Sequence, residues 1–294
     1  MFNLNEGGLW YYLANVKGIC TEPWQYALLT VGFALIASLA GYLLGSVNSA
    51  IVVSKVFYKD DIRRHGSGNA GLTNILRTYG LKAAGFTLLG DVLKTVLSIL
   101  IGAFLGGFCY VGGISIGKVW CDMPMAYIAG FFSIIGHILP IYYGFKGGKG
   151  VLCTAAMALV LSPIDFAVLL LLFVIIVAIT KMVSLGSITA GFFYPIVIAG
   201  HTRLVLGVDN ALDGMISLIT ILIAIIIIYC HRQNIVRISK GTERKLSFGK
   251  KPAAAATTAD ASANDASAND ASASNASASN AANAENTETD GEGK

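Results

Sequence analysis

Long apolar segments recur along the chain and constrain its fold more than any other feature. A helix needs about 20 residues to cross a hydrocarbon core of ~30 Å. The composition agrees with a membrane protein, because 55% of the residues are hydrophobic and 13% are charged, against about 25% charged in soluble domains. We therefore predict an all-α fold, a polytopic integral membrane helical bundle with about seven transmembrane helices. The strong segments are residues 25–44, 81–108, 125–143, 164–180 and 215–230, and the weaker ones are 151–161 and 185–199.

Basic residues divide the loops between these segments into two sets. Lys and Arg are frequent after the first, third and seventh segments, and Lys181 follows the fifth, whereas the alternate loops hold only Lys118 and Arg203. Short loops rich in Lys and Arg remain in the cytoplasm. We therefore predict an N-terminus outside and a C-terminus in the cytoplasm. This orientation requires an odd number of spans, which favours keeping both weaker segments.

The composition changes abruptly at Pro252, beyond which no aliphatic residue is larger than alanine. Such a stretch cannot bury a core and is typical of disorder. We predict an external segment at 1–24, a membrane domain at 25–251 and a disordered low-complexity tail at 252–294. The net charge of +4 is too small to favour nucleic acid. The five cysteines have neither metal nor disulfide spacing, and we predict no metal and no cofactor.

A polar, glycine-rich loop between the first two segments has the composition of a phosphate site. Glycines let backbone N–H groups approach an anion, and hydroxyls and amides add donors. Arginine supplies a planar charged fork that suits phosphate. The alternative is an ordinary solvated loop with turn glycines. The candidate residues are Gly66, Ser67, Gly68, Asn69, Gly71, Thr73, Asn74 and Arg77.

A second loop, residues 144–150, places two lysines among four glycines directly before an apolar segment. A helix N-terminus offers free N–H groups and a favourable dipole to an anion. Gly147, Gly148 and Lys149 are the candidates here. The spacing does not match a nucleotide P-loop. The alternative is a tight turn with cytoplasmic lysines, and two phosphate-type loops on one face make it less attractive.

Ionisable and polar residues near the segment ends complete the candidate set. By helical spacing His231 and Asn234 share one face, with Arg237 as a further candidate for it. Asp91 and Lys94 are three residues apart inside an apolar segment, which favours a structural ion pair over catalysis. His137 fits a hydrogen-bonding partner or a ligand. Ser184 and Ser187 fit either N-caps or donors to a substrate.

These stretches together resemble the bacterial membrane acyl-phosphate:glycerol-3-phosphate acyltransferase family (PlsY family). The resemblance covers residues 45–245, with the motifs in family order. Asn48 stands where the family commonly has proline, and Leu72 where it has alanine. The matching stretches are Gly45-Ser-Val, Arg63 to Asn74, Gly136-His to Pro140, Gly144-Phe-Lys-Gly-Gly-Lys-Gly-Val151, Ser184-Leu-Gly-Ser-Ile188 and His231 to Glu243.

The resemblance implies transfer of an acyl group from acyl phosphate to the 1-hydroxyl of sn-glycerol 3-phosphate. The products are lysophosphatidic acid and phosphate, an early step of phospholipid biosynthesis. It implies a multi-pass protein of the bacterial inner membrane, a cytoplasmic active site and a partner enzyme that supplies acyl phosphate. By position, Ser67, Arg77 and the loop 66–74 would hold a phosphate, and Gly147, Gly148 and Lys149 would bind glycerol 3-phosphate. Ser187, His231 and Asn234 would complete the pocket, with Glu243 structural.

Alternatives remain open at two levels. The hydroxyl proton could pass to a phosphate oxygen of the donor or to His231 as general base. An acyl-CoA type of acyltransferase is disfavoured, because the His-x-x-x-x-Asp motif is absent after His65, His137, His201 and His231. The rival from another class is a membrane transporter of a phosphorylated metabolite. Transporters commonly have paired halves, and the chain shows no internal repeat.

Overall fold

The computed structural model describes residues 8–106, 125–205 and 211–245. Regular structure within these ranges is helical throughout, as predicted. The tail at 252–294, residues 1–7 and the predicted end of the second segment at 108 lie outside the described residues. The helices are α1 Gly8–Tyr11, α2 Pro23–Gly45, α3 Ser49–Tyr58, α4 Leu72–Tyr79, α5 Leu81–Gly106, α6 Met125–Ile138, α7 Val151–Leu161, α8 Pro163–Thr180, α9 Val183–Gly200, α10 Ala211–Cys230 and α11 Arg232–Ser239.

Each of the seven predicted segments contains a helix, but not each helix is long enough to span a membrane. Five helical stretches in the described part of the chain have the length and apolar character of a span, and a sixth does if the bent pair α10–α11 is one span. Helix α7 has 11 residues, a length of about 16 Å. It covers about half of the ~30 Å hydrocarbon core, so the count of seven spans remains a prediction.

The first apolar segment has nearly its predicted bounds, but a second helix that was not predicted follows it. Helix α2 ends at Gly45, and the chain resumes as α3 at Ser49. Asn48 makes this break, since its Oδ1 accepts a hydrogen bond from the Ile51 N–H at 3.1 Å. Its Nδ2 donates to the Ala70 carbonyl at 3.2 Å. Asn48, at a position where the family commonly has proline, therefore caps α3 and anchors the first polar loop through the Ala70 carbonyl.

Helix packing depends on small residues where backbones approach closely. A Cβ added to Gly45 of α2 would lie 2.2 Å from the Ser133 carbonyl oxygen of α6. Such contacts are typical of membrane helices, which associate by close packing rather than by the hydrophobic effect. The largest buried cluster joins α5, α6, α7, α9 and α10 through Ile99, Tyr127, Met157, Ile198 and Ile223, among others. This core fixes the helix ends from which the polar loops project.

Candidate active site

The first polar loop is organised by the amide of Asn74. Its Oδ1 accepts from the Ser67 N–H at 3.1 Å, and its Nδ2 donates to the carbonyls of His65 at 2.9 Å and Asn69 at 3.0 Å. The side chain is buried. Asn74 therefore uses its polar atoms inside the loop, and we assign it a shaping role instead of the predicted ligand contact.

Four side chains in and after this loop keep their hydrogen-bonding groups available. Within the described residues, the side chains of Ser67, Asn69, Thr73 and Arg77 have no hydrogen-bond or ion-pair partner, and all four line one cavity. Burial lowers the pKa of the Arg77 guanidinium, and the nearby Arg244 lowers it further. A partly desolvated guanidinium that makes no direct ion pair among the described residues is well suited to an anionic ligand.

The second loop, between α6 and α7, uses its glycine N–H groups differently from the prediction. The Gly147 N–H donates to the Ile138 carbonyl at 3.1 Å, and the Gly148 N–H donates to the His137 carbonyl at 3.0 Å. Both groups satisfy the end of α6 instead of facing a ligand. Arg63 ties this loop to the first one, because its Nη1 donates to the Tyr143 carbonyl at 2.7 Å. What remains for an anion is the N-terminus of α7 and the ammonium of Lys149.

Lys149 is held by a chain of polar side chains from α9, α11 and the segment after it. Its Nζ donates to Oδ1 of Asn234, and Asn234 Nδ2 donates to Oε1 of Glu243 at 2.7 Å. Burial lowers the pKa of the Lys149 ammonium, and the Arg237 guanidinium lowers it further. The ammonium is thus poorly solvated, and a phosphate would stabilise its charge.

Glu243 is the centre of this chain. In addition to Asn234, Oε1 accepts from the Ser184 hydroxyl at 2.7 Å, and Oε2 accepts from Arg237 Nε at 2.8 Å. Burial alone would raise the pKa of this carboxyl, but the three donors lower it below its ordinary value. The capping hypothesis for Ser184 is wrong, since Met182 is the N-cap of α9.

His231 lies at a bend, not inside a continuous helix. Helices α10 and α11 meet there at 56°, yet His231, Asn234 and Arg237 all line the same cavity, as their predicted common face requires. The Nδ1 of the buried ring lies 2.8 Å from the Ile227 carbonyl. A carbonyl only accepts, so Nδ1 carries the proton and the neutral ring has its lone pair on Nε2. The Ser187 hydroxyl donates to the Val183 carbonyl at 2.9 Å.

One cavity of about 710 Å³ collects most of the predicted site residues. Gly68, Gly147 and Gly148 are described but do not line it. The wall away from the loops is apolar and is formed by α7 and α8 through residues such as Leu152, Ala158, Phe166 and Phe173. The predicted residues on its wall are Gly66, Ser67, Asn69, Thr73, Asn74, Arg77, Lys149, Ser187, His231 and Asn234.

The wall also contains residues that the sequence left open, assigned a structural role or did not single out. Asp91 of α5 and His137 of α6 line it, together with Arg237, Glu243 and Arg244. The spacing of Asp91 and Lys94 predicted an ion pair, which is present at 2.8 Å. Potential metal-ligating atoms of Asp91, His137 and Cys153 lie within 4.8 Å of one another. The Lys94 ammonium is bonded to the first two, so this cluster is poorly suited to a metal ion.

Comparison with known proteins identifies the family. The family model described as glycerol-3-phosphate acyltransferase matches residues 35–241. A glycerol-3-phosphate acyltransferase of Streptococcus thermophilus is 39% identical over 215 residues, which are 73% of this chain and 94% of the relative. The enzyme of that name from Finegoldia magna is 39% identical over 214 residues, 73% of this chain and 96% of the relative.

Solved structures agree with the sequence matches. PlsY (YgiH), an integral membrane glycerol 3-phosphate acyltransferase, is 31% identical in its glycerol 3-phosphate form, with a TM-score of 0.59 over 73% of this chain and 96% of that one. Its lysophosphatidic acid form gives a TM-score of 0.58 at the same identity, over 73% of this chain and 95% of that one. This protein is therefore an integral membrane member of the glycerol-3-phosphate acyltransferase (PlsY) family.

Proposed function

We propose that this protein transfers an acyl group from acyl phosphate to the 1-hydroxyl of sn-glycerol 3-phosphate. The products are 1-acyl-sn-glycerol 3-phosphate, which is lysophosphatidic acid, and inorganic phosphate. The observation that carries the proposal is the single cavity that joins two cation-bearing loops to an apolar wall. Family membership favours this acyl transfer over the alternative of a membrane transporter.

The polar end of the cavity supports a reaction with two phosphates. The first loop offers Ser67, Thr73 and Arg77, and the second offers Lys149 beside the N-terminus of α7. Two separate cationic groups match one phosphate on the donor and one on the acceptor. We assign the acceptor to Lys149 because the family resemblance implies that the second loop binds glycerol 3-phosphate, and Lys149 is the residue of that loop whose ammonium lines the cavity.

The apolar wall supports an acyl chain as the transferred group. Helices α7 and α8 line it with Leu152, Ala155, Ala158, Leu169 and Phe173. Each CH₂ taken out of water contributes about 0.8 kcal/mol, so this wall favours a long chain. A polar metabolite alone would leave it unused.

The chemistry requires little from a protein base. The acceptor oxygen attacks the acyl carbonyl, the carbonyl–phosphate bond breaks, and phosphate leaves with the electron pair. The hydroxyl proton passes either to a phosphate oxygen of the donor or to Nε2 of His231, which is the atom of that ring free to accept it. Positioning by the loops and positive charge from Arg77 and Lys149 provide the remaining stabilisation.

We further propose that the site faces the cytoplasm of a bacterial inner membrane. The N-terminus is outside and the C-terminus inside, with the short helix α7 as the fourth of seven crossings. The support is the excess of Lys and Arg in the loops that carry the site. Acyl phosphate is a mixed anhydride prone to hydrolysis, so we expect the enzyme that makes it to act in functional coupling with this one.

An acyl-transfer assay on the purified protein tests the proposal. Palmitoyl phosphate with glycerol 3-phosphate is expected to yield lysophosphatidic acid and one phosphate per acyl group transferred. Palmitoyl-CoA as donor and glycerol as acceptor are the matched controls, and both are expected to give little product. Efficient transfer from palmitoyl-CoA, or none from palmitoyl phosphate, would overturn the assignment of the donor.

A further inference from the structure

Asp91, Lys94 and His137 form a buried ionic network at the wall of the cavity. Asp91 and Lys94 lie one turn apart on α5, and the carboxylate Oδ1 is 2.8 Å from Nζ. The same Nζ lies 3.0 Å from Nδ1 of His137 on α6. The side chains are 1%, 6% and 4% exposed. Burying charges in an apolar segment is costly, and such groups usually have a function.

The imidazole of His137 connects this network to the second loop. An ammonium only donates, so Nδ1 of the ring accepts from Lys94 and the ring proton is on Nε2. The Nε2 edge faces Gly148, where an added Cβ would lie 2.0 Å from that atom. The backbone carbonyl of His137 accepts from the Gly148 N–H at 3.0 Å. Ring and backbone of one residue therefore fix the turn that carries Lys149.

The network also contacts the break that leads to the first loop. Lys94 Nζ donates to the Val47 carbonyl at 2.9 Å, next to Asn48. Asn48 in turn donates to the Ala70 carbonyl at 3.2 Å. That carbonyl oxygen would lie 2.8 Å from a Cβ on Gly148. The two loops thus meet where Gly148 contacts Ala70, and the ionic network contacts both sides of this meeting point through Val47 and Gly148.

We propose that Asp91, Lys94 and His137 are positioning residues for the acceptor site. They hold the Gly147–Gly148 turn against the first loop, so that Lys149 is placed to meet the phosphate of glycerol 3-phosphate. This inference rests on the proposed function, because its effect is measured as a change in the KM for glycerol 3-phosphate. The buried charges thus fix the position of the second loop and contribute little to the stability of the helical bundle.

The double variant Asp91→Leu/Lys94→Met tests this role without leaving an unpaired buried charge. Replacing a buried ion pair by apolar residues of similar size often preserves stability. We expect a near-unchanged unfolding temperature and a KM for glycerol 3-phosphate raised about tenfold, the size of one lost charge-assisted contact. The KM for acyl phosphate is expected to change little. Adding Lys149→Ala is expected to raise the acceptor KM no further, since both changes remove the same contact.

The buried pair of Asp165 and His201, 2.8 Å apart, provides the matched control. Neither residue lines the cavity, and Asp165→Leu/His201→Leu is expected to leave both KM values unchanged. If Asp91→Leu/Lys94→Met does not fold, His137→Gln replaces it, because its amide can accept from Lys94 but does not reproduce the ring against Gly148.

Glycerol 3-phosphate binding, followed as a ligand-dependent rise in unfolding temperature, gives a second readout that needs no donor. A wild-type protein without acyl transfer would refute the proposed function, and the binding readout would still test the network. The positioning role would be overturned if Asp91→Leu/Lys94→Met kept the wild-type KM for glycerol 3-phosphate and the wild-type binding shift. It would also be overturned if adding Lys149→Ala raised this KM by a further factor as large as in the wild-type background.

Discussion

At the scale of single residues, Glu243 determines how the site is presented. It accepts from Ser184, Asn234 and Arg237 at once, and so it turns the Oδ1 of Asn234 towards Lys149. A glutamine keeps the shape but has one oxygen and no charge. Glu243→Gln is expected to lower acyl transfer about tenfold, because hydrogen bonds to a charged group contribute about 1.5–3 kcal/mol. Ser239→Ala, on the exposed side of α11, is the control in the same rate measurement and is expected to be silent.

The same residue gives the site a pH dependence of defined sign. The pKa of Glu243 is lowered in the folded protein, so its stabilising contribution is present at neutral pH and is lost as the pH falls through that lowered value. Thermal unfolding of the wild type is expected to lose this contribution on acidification. Glu243→Gln is expected to lack it at every pH, so the two unfolding temperatures converge at low pH. A constant difference between them across the pH range would contradict this role.

The residue types of the two loops predicted which residues lie at the cavity better than they predicted what each residue does there. Asn74 and Gly148 were predicted as ligand contacts, yet both use their polar groups within the protein. Composition marks a loop as rich in donors, but the backbone path decides which donors face inward. A structural role for Glu243 was predicted only through the family resemblance, because nothing local in the sequence connects it to Ser184, from which it accepts a hydrogen bond.

At the scale of elements, the turn before α7 depends on the lack of a side chain. A Cβ on Gly148 would lie 2.0 Å from His137 Nε2 and 2.8 Å from the Ala70 carbonyl oxygen. Gly148→Ala is therefore expected to displace the turn and raise the KM for glycerol 3-phosphate about tenfold or more. Gly85→Ala, on α5 with nothing within 4 Å of the added atom, is the control. Normal kinetics in Gly148→Ala would show that the packing of the turn is not required.

The helices themselves were predictable, whereas their breaks were less so. Apolar runs located every long helix, because length and hydropathy are local properties. The break at Asn48 and the 56° bend at His231 depend on contacts with other parts of the chain. Asn48 reaches Ala70, 22 residues away, and such a contact leaves no local signal. The meeting of His137 with Lys94 across 43 residues was hidden for the same reason.

At the scale of the whole molecule, the orientation of the site can be measured by chemical labelling. Lys146 and Arg64 are exposed residues of the two site loops, and Ile164 is exposed at the start of α8. Single cysteines at these positions, in a cysteine-free background, are treated in intact cells with an impermeant reagent. Ile164→Cys is expected to react from outside, and Lys146→Cys and Arg64→Cys only after permeabilisation. The reverse pattern would place the active site on the other face.

The central claim is that the second loop holds the phosphate of the acceptor. Its most direct test is the initial rate of acyl transfer by Lys149→Ala, measured against each substrate in turn, with the exposed Lys146→Ala as control. A charge-assisted contact contributes about 1.5–3 kcal/mol, so the KM for glycerol 3-phosphate is expected to rise tenfold or more. The KM for acyl phosphate is expected to change little, and Lys146→Ala to resemble the wild type. A Lys149→Ala enzyme with an unchanged dependence on glycerol 3-phosphate would contradict the account.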